Sequence, residues 1–178
     1  MLGDSGVRTL VDVRRFPSSR RHPQFNQAAL AAALEAAGIA YRHAVELGGR
    51  RSGEPGEERF GCIQVAAFRS YAARMGTPEW QDVLAAALVE PGAPSGARSS
   101  GRASPALPAT LPTSAPCFMC AETLWWRCHR RLIAELLHAR GHEVVHLLRP
   151  GHSEPHRPWE PISETRDGVL YLCGERVA

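Results

Sequence analysis

The chain has 178 residues, a net charge of +3, and 44% hydrophobic and 22% charged residues, a composition typical of a globular domain rather than a disordered or fibrous protein. No apolar stretch approaches the roughly 20 residues of a membrane span, and residues 1–8 lack the apolar core of a signal peptide. We therefore expect no membrane partner and a cytoplasmic location, where the five cysteines would be thiols rather than disulfides.

The N-terminal part is predicted to form a β-α-β unit. Residues 9–13 are apolar and β-branched, as in a buried parallel strand. A helix over residues 27–37 would begin at Asn26 as N-cap and end at Gly38. Residues 39–45 would form the next strand.

Two helices are predicted next, over residues 65–75 and from Thr77-Pro78 to about residue 90. Residues 91–116 are dominated by Pro, Gly, Ser and Ala and are expected to form a disordered insertion. The β-α-β pattern then resumes, with a strand, a helix, another strand and one short strand near the end, over residues 117–120, 127–140, 143–148 and 168–173. This order predicts one α/β domain over residues 7–173, a mostly parallel sheet flanked by helices in three Rossmann-like layers, with a partly irregular tail at residues 149–178.

The most informative segment is the turn between the strand at residues 117–120 and the helix that follows it. Ligands of open α/β sheets bind at such turns, beside the carboxyl ends of strands. Cys120 is a candidate nucleophile, Glu122 a candidate acid or base, and His129 a candidate partner on the inward face of the helix. The alternatives are a buried small hydrophobe, a loop ion-pair partner and an interior histidine.

A zinc site formed by Cys120, Cys128, His129 and perhaps His146 is a further alternative. The Cys-x7-Cys-His spacing lacks the short Cys-x2–4-Cys spacing of structural zinc sites. The sequence therefore assigns no metal ligand, and it leaves the cofactor unknown.

Cationic residues follow the other predicted strands. Asp12 ends the first strand and would orient an arginine or histidine in the adjacent crevice. The arginines that follow it suit a phosphate or carboxylate, and they are Arg14, Arg15, Arg20 and Arg21. Further candidates for holding an anion are the backbone amides of Gly48 and Gly49 and the side chain of Arg50. Arg130 is another candidate substrate-binding residue. For most of these arginines a solvated loop is the alternative.

Several ordered motifs together resemble the bacterial domain of unknown function 488 family. They are residues 10–19 (LVDVRRFPSS), Phe25-Asn26, residues 46–50 (ELGGR), Cys120-Ala121-Glu122, Cys128-His129-Arg130, the run at His156 and the turn at Asp167-Gly168. The resemblance implies an α/β domain and supplies no function. Similar members begin with a strand ending in Gly-His-Ser and a helix, so this chain is expected to lack that unit.

These observations favour an enzyme-like domain that binds an anionic small molecule, a nucleotide or a phosphorylated compound, at the loops after the strands. One alternative is a nucleic-acid-binding module that uses the Arg-rich loop at residues 14–22 and the tryptophans Trp125 and Trp126. The modest net charge argues against a large phosphate footprint. A truncated, non-catalytic remnant is the other alternative.

Overall fold

The computed structural model describes residues 1–89 and 115–178. The N-terminal elements are strands and helices in alternation, followed by a helical pair: β1 (Thr9–Asp12), α1 (Gln27–Ala36), β2 (Ala40–His43), α2 (Ala66–Met75) and α3 (Pro78–Leu88). The C-terminal elements are one helix and six strands: β3 (Pro116–Met119), α4 (Arg130–Ala139), β4 (Val145–Arg149), β5 (His152–Pro155), β6 (Ser163–Arg166), β7 (Val169–Leu172) and β8 (Glu175–Arg176). The expected insertion at residues 91–116 lies outside the described residues, except for its last two.

Strands β1, β2 and β3 form a parallel sheet in the order β2-β1-β3. Every residue of β1 is buried, as expected for the central strand of a sheet covered on both faces. Thr9 lies opposite Ala40 on one side and Pro116 on the other. The carboxyl ends of the three strands therefore meet at the same edge of the sheet.

The prediction of a mostly parallel, Rossmann-like sheet is correct only in its coarser form, a mixed α/β fold. β4 forms an antiparallel hairpin with β5, and β6, β7 and β8 form a separate antiparallel sheet. The hairpin forms because Pro150 and Gly151 turn the chain back after Arg149, and Gly151 has a positive φ of 73°, a conformation that glycine adopts without steric cost.

Side chains on the two faces of β1 enter two different cores. Leu10 packs with Leu30, Leu34 and Ile39 beneath α1. Val11 faces a larger core that contains fully buried side chains of α2, α3, α4 and β7, including Tyr71, Trp80, Leu132 and Leu170. Helices therefore cover both faces of the parallel sheet, which fixes the positions of the loops that leave β1 and β3.

The predicted helix boundaries are close to the observed ones. The Thr77 hydroxyl accepts a hydrogen bond from the Trp80 backbone N–H at 3.4 Å, as an N-cap should. Gly38 ends α1 with a φ of 71°. Asn26 differs from the prediction, because its side-chain oxygen accepts a hydrogen bond from the Ser19 N–H at 2.6 Å and makes none to the helix it precedes.

The expectation that all five cysteines are thiols is wrong for two of them. Cys62 and Cys173 form a disulfide between the loop before α2 and the end of β7, with Cα atoms 5.7 Å apart. Cys117, Cys120 and Cys128 are free thiols. Within the described ranges, no helix has the length and apolar character needed to cross a membrane.

Candidate functional site

The carboxyl ends of β1 and β3 lie side by side. Asp12 pairs with Met119 in the parallel register, and the Val13 N–H donates to the Met119 carbonyl at 2.9 Å. Arg14, two residues after β1, and Cys120, one residue after β3, line the same cavity.

The cavity at this edge has a volume of about 380 Å³, within the range of small-molecule sites. Its lining comes from the loops after β1, β2 and β3 and from the start of α2. The lining residues are Arg14, Arg15, Phe16, Ser18, Gly49, Arg50, Val65, Ala67, Phe68, Cys120, Ala121, Glu122, Arg127, Cys128 and His129. Seven of the ten predicted site residues are among them, and Asp12, Gly48 and Arg130 are not.

Asp12 holds Arg14 in place from beneath the cavity. Its fully buried carboxylate accepts hydrogen bonds from Arg14 Nε at 2.8 Å and Nη2 at 2.5 Å, and from the Tyr41 hydroxyl at 2.7 Å. Burial raises the pKa of Asp12, but the hydrogen bonds from Arg14 and Tyr41 outweigh it and leave the pKa below its usual value. Arg14 Nη1 also donates to the Phe25 carbonyl at 2.8 Å. Asp12 is thus a positioning residue, and the guanidinium of Arg14 is fixed.

Arg15, Arg50 and Arg127 are exposed cations that line the cavity. Arg15 Nη1 donates to the Arg50 carbonyl at 2.9 Å. Among the described residues, none of these three arginines has a carboxylate partner within 4.0 Å. Glu122 is the acidic side chain of the lining, and it too lies outside these ion pairs. The lining is therefore strongly cationic.

Gly48 and Gly49 permit close packing rather than offering a flexible amide loop. A Cβ atom at Gly49 would lie 2.5 Å from His129 Nδ1, and one at Gly48 would lie 2.8 Å from the Val45 carbonyl oxygen and 3.2 Å from Arg15 Cα. Side chains larger than hydrogen would displace the imidazole in the first case and backbone in the second. The two glycines let the loop after β2 approach His129 and Arg15.

Cys120, Cys128 and His129 form a compact cluster at the cavity wall. His129 Nδ1 lies 3.5 Å from Cys128 Sγ and 4.0 Å from Cys120 Sγ. The Tyr71 ring packs against the imidazole with a centroid distance of 5.1 Å. Cys120 follows β3 directly, and Cys128 and His129 immediately precede α4. The cluster therefore connects the end of β3 to the start of α4. The seven residues between the two cysteines form a loop that brings Cys128 back beside Cys120.

The pKa values of the two thiols in the cluster are shifted in opposite directions. The hydrogen bond between the two sulfurs and burial raise the pKa of Cys120 to about 12. The same hydrogen bond, opposed by burial and assisted by the backbone and side chain of Arg130, lowers the pKa of Cys128 to about 6. The amide at the start of α4 and the guanidinium of Arg130 thus act on Cys128 rather than on Cys120.

The side chain of Arg130 contacts the backbone of Glu122. Arg130 Nη2 donates to the Glu122 carbonyl, which fixes the turn and directs Arg130 behind Cys128. The Glu122 carboxylate is exposed at the cavity. Glu122 therefore lines the cavity, whereas Arg130 lies outside its lining.

His146 does not join the cysteine cluster. Its ring stacks on Trp125 at 3.7 Å between centroids, and its Nε2 lies 3.1 Å from His156 Nδ1. Trp125 also donates through Nε1 to Glu154 at 2.7 Å. One face of Trp125 is consequently covered by the protein itself.

The sequence does not predict Arg127 or the apolar part of the lining as site residues, and it includes Cys128 only in the zinc alternative. Phe16 and Val65 are exposed by 65% and 52% and, with Phe68, form an apolar patch beside the arginines. The Cys128-His129 pair was visible in the sequence, but its proximity to Cys120 depends on how the turn closes. Val65 and Phe68 precede and begin α2, and no local pattern distinguishes them from core residues.

No curated protein and no solved structure matches the chain. A family model described as "Domain of unknown function DUF488" matches residues 1–91. The matched region contains Asp12, Arg14, Arg15 and the two glycines before Arg50, and it ends before the cysteine cluster. On this match over half of its length, the chain belongs to the DUF488 family.

Proposed function

We propose that this chain is an enzyme-like domain that binds an anionic small molecule, a nucleotide or a phosphorylated compound, in the cavity after β1 and β3. The observation that carries the proposal is the charge of the lining. Four arginines and one carboxylate, Glu122, line a space of about 380 Å³. Arg14 is paired with the buried Asp12, whereas Arg15, Arg50 and Arg127 have no ion-pair partner among the described residues. Such an excess of guanidinium groups in a concave site is suited to phosphate or carboxylate recognition.

Arg14 would supply the fixed part of the anion site. Its Nε and one N–H each of Nη1 and Nη2 are engaged by Asp12 and Phe25. Two of its five N–H donors thus remain for a ligand. Because a buried carboxylate already holds the guanidinium, Arg14 would lose little conformational entropy when a ligand binds. Arg15, Arg50 and Arg127 are exposed and would close around the anion.

The groups proposed for chemistry line the same cavity. Glu122 is exposed at the cavity and has no ion-pair partner in residues 1–89 and 115–178, so its carboxylate would be available for proton transfer. Cys120 and His129 lie beside it. The apolar side chains of Phe16, Val65 and Phe68 would contact an uncharged part of the ligand, such as a base or an aromatic ring.

The nucleic-acid alternative is less well supported by the geometry. The cationic groups line a concavity, and Trp125 is covered on one face by His146. Arg20 is exposed on the same Arg-rich loop but does not line the cavity. Substitution of Arg20 therefore distinguishes anion binding in the cavity from nucleic-acid binding by the loop. A second concavity beside α1, lined by residues that include Glu35 and Tyr41, contains no cation and does not suit an anion.

The test is thermal unfolding with inorganic phosphate, AMP, ATP and a sugar phosphate as separate probes. A ligand present at ten times its dissociation constant stabilises the folded chain by about 1.4 kcal/mol, which raises the Tm of a chain of this size by roughly 3–6 °C. Arg50→Gln should abolish the shift, and the matched exposed variant Arg20→Gln should retain it. Glu122→Gln should retain or strengthen binding, because it removes the carboxylate that repels an anion.

Two results would contradict the proposal. The first is a cooperative melt that no probe shifts at millimolar concentration. The second is an equal loss of the shift in Arg20→Gln and Arg50→Gln, which would point to the loop and to nucleic acid. Absence of any cooperative melt would instead favour the non-catalytic remnant.

A further inference from the structure

We infer that Cys120, Cys128 and His129 form a binding site for one divalent metal ion of the thiolate- and imidazole-preferring class, Zn²⁺ above all. The inference goes beyond the proposed anion binding and does not depend on it. It rests on the geometry of three side chains whose donor atoms converge, and on the way the surrounding residues hold them.

The separations of the donor atoms match those around a tetrahedral zinc ion. With Zn–S and Zn–N bonds of about 2.3 and 2.05 Å, tetrahedral angles place sulfur and nitrogen about 3.6 Å apart and two sulfurs about 3.8 Å apart. The nitrogen-to-sulfur distances are 3.5 Å to Cys128 and 4.0 Å to Cys120. All three donor atoms lie within 4.8 Å of one another. The two nitrogen-to-sulfur distances are within about 0.4 Å of the ideal value, and the two sulfurs would have to approach by at most about 1.0 Å to share one ion.

The surrounding fold holds the imidazole with Nδ1 toward the sulfurs. The ring lies between Tyr71, 5.1 Å away between centroids, and the backbone of Gly49, where even a Cβ atom would come within 2.5 Å of Nδ1. His129 is only 9% exposed, and its Nε2 is buried without a hydrogen-bond partner in the described ranges. The ring is thus held by packing, so its direction toward the two sulfurs does not depend on a hydrogen bond at Nε2.

The number of protein donors indicates an open coordination position. Structural zinc sites have four protein ligands, whereas catalytic sites have three, with a water or substrate atom in the fourth position. Within the described chain the cluster contains three donors, and all three residues line the cavity. A metal ion here would therefore present its free position to the same space that Arg14 and Arg50 line.

The first experiment uses the wild-type chain with its free thiols reduced, treated with a chelator, and kept under argon in a phosphate-free buffer. Titration with Co²⁺ should give one ion bound per chain, a sulfur-to-cobalt charge-transfer band in the near ultraviolet and the intense visible absorption of tetrahedral cobalt, which Zn²⁺ should then remove. Weak absorption of octahedral cobalt without the sulfur band, or no binding, would overturn the inference. Because no phosphate or nucleotide is present, this result is independent of the anion proposal.

Variants then assign the ligands. Cys128→Ser and His129→Gln should weaken Co²⁺ binding by roughly a hundredfold or more, since even the loss of supporting residues outside the ligand set costs 10- to 100-fold. Cys117→Ser is the matched control, because Cys117 is a free thiol on β3 outside the cluster, and it should bind as the wild type does. Unchanged binding in either ligand variant would overturn the assignment.

A measurement on the wild type keeps the test decisive where a variant does not fold. Alkylation followed by mass spectrometry reports on each cysteine separately. Zn²⁺ should protect Cys120 and Cys128 and leave the alkylation rate of Cys117 unchanged. Equal alkylation of Cys120 and Cys128 with and without Zn²⁺ would overturn the inference.

Discussion

Replacing Gly49 by alanine tests the close contact on which the site is built. The added Cβ would lie 2.5 Å from His129 Nδ1 and 2.9 Å from Cγ, where ordinary contacts begin at 3.4 Å. The imidazole or the loop after β2 must therefore move by about 0.9 Å, the difference between 3.4 and 2.5 Å. Forcing one extra carbon into such a packed contact costs about 1–3 kcal/mol of folding free energy. The displacement also moves Nδ1 away from the two sulfurs.

Urea unfolding followed by tryptophan fluorescence measures this cost, and a Co²⁺ titration measures the displacement of Nδ1. Gly61→Ala is the matched control, because the nearest atom to its Cβ would be the Glu58 carbonyl oxygen at 3.5 Å, an ordinary contact. We expect this control to stay within about 0.5 kcal/mol of the wild type. A Gly49→Ala chain with wild-type stability and wild-type Co²⁺ affinity would refute the reasoning, since the loop would then be free to move aside.

Three further predictions concern stability and its dependence on pH. Asp12→Asn should cost about 3–5 kcal/mol in urea unfolding, because it leaves the guanidinium of Arg14 buried beside a neutral amide; a loss below about 1 kcal/mol would contradict this. Replacing both Cys62 and Cys173 by serine should lower stability by about 4–5 kcal/mol, the chain-entropy value for a 111-residue separation, and an unchanged Tm would contradict it. Burial and His156 lower the pKa of His146 to about 3, so only the unfolded chain takes up this proton as the pH falls below the ordinary value of 6.5. Stability should therefore decrease from pH 6.5 toward pH 3, and His146→Gln should flatten that decrease.

The local elements were predictable because their signals are local. The apolar run at residues 9–13 has the composition of a central parallel strand, and β1 is buried throughout. Thr77-Pro78 and Gly38 mark helix ends through capping and positive φ, and both do so in the structure. These features depend on a few neighbouring residues.

Strand pairing in the C-terminal part was not predictable in the same way. A strand near residues 143–148 was expected and β4 forms there, but its pairing with β5 depends on the Pro150-Gly151 turn. The Cys62–Cys173 disulfide joins residues 111 positions apart, and no spacing rule identifies such a pair. Both outcomes depend on tertiary contacts rather than on periodicity.

In the candidate site, too, some features follow from local sequence and others depend on tertiary contacts. Cys120, Glu122 and His129 could be selected because they follow a strand and precede a helix. The sequence does not predict which thiol has the lowered pKa, because that depends on the hydrogen bond between Cys120 and Cys128 and on the contacts of Cys128 with Arg130. The pKa values of the two thiols depend on three-dimensional contacts, whereas the turn that contains the site can be identified from the sequence.

The parallel pairing of β1 with β3 makes the distance between the arginine and the thiol independent of how many residues separate them along the chain. Asp12 lies beside Met119, so Arg14 and Cys120 stay neighbours whatever the length of the segment that joins α3 to β3. A deletion of one residue within β3 would instead turn each following side chain to the opposite face of the sheet. Related chains can therefore differ widely in the length of that connection and keep the site, whereas the length of β3 itself has to be conserved.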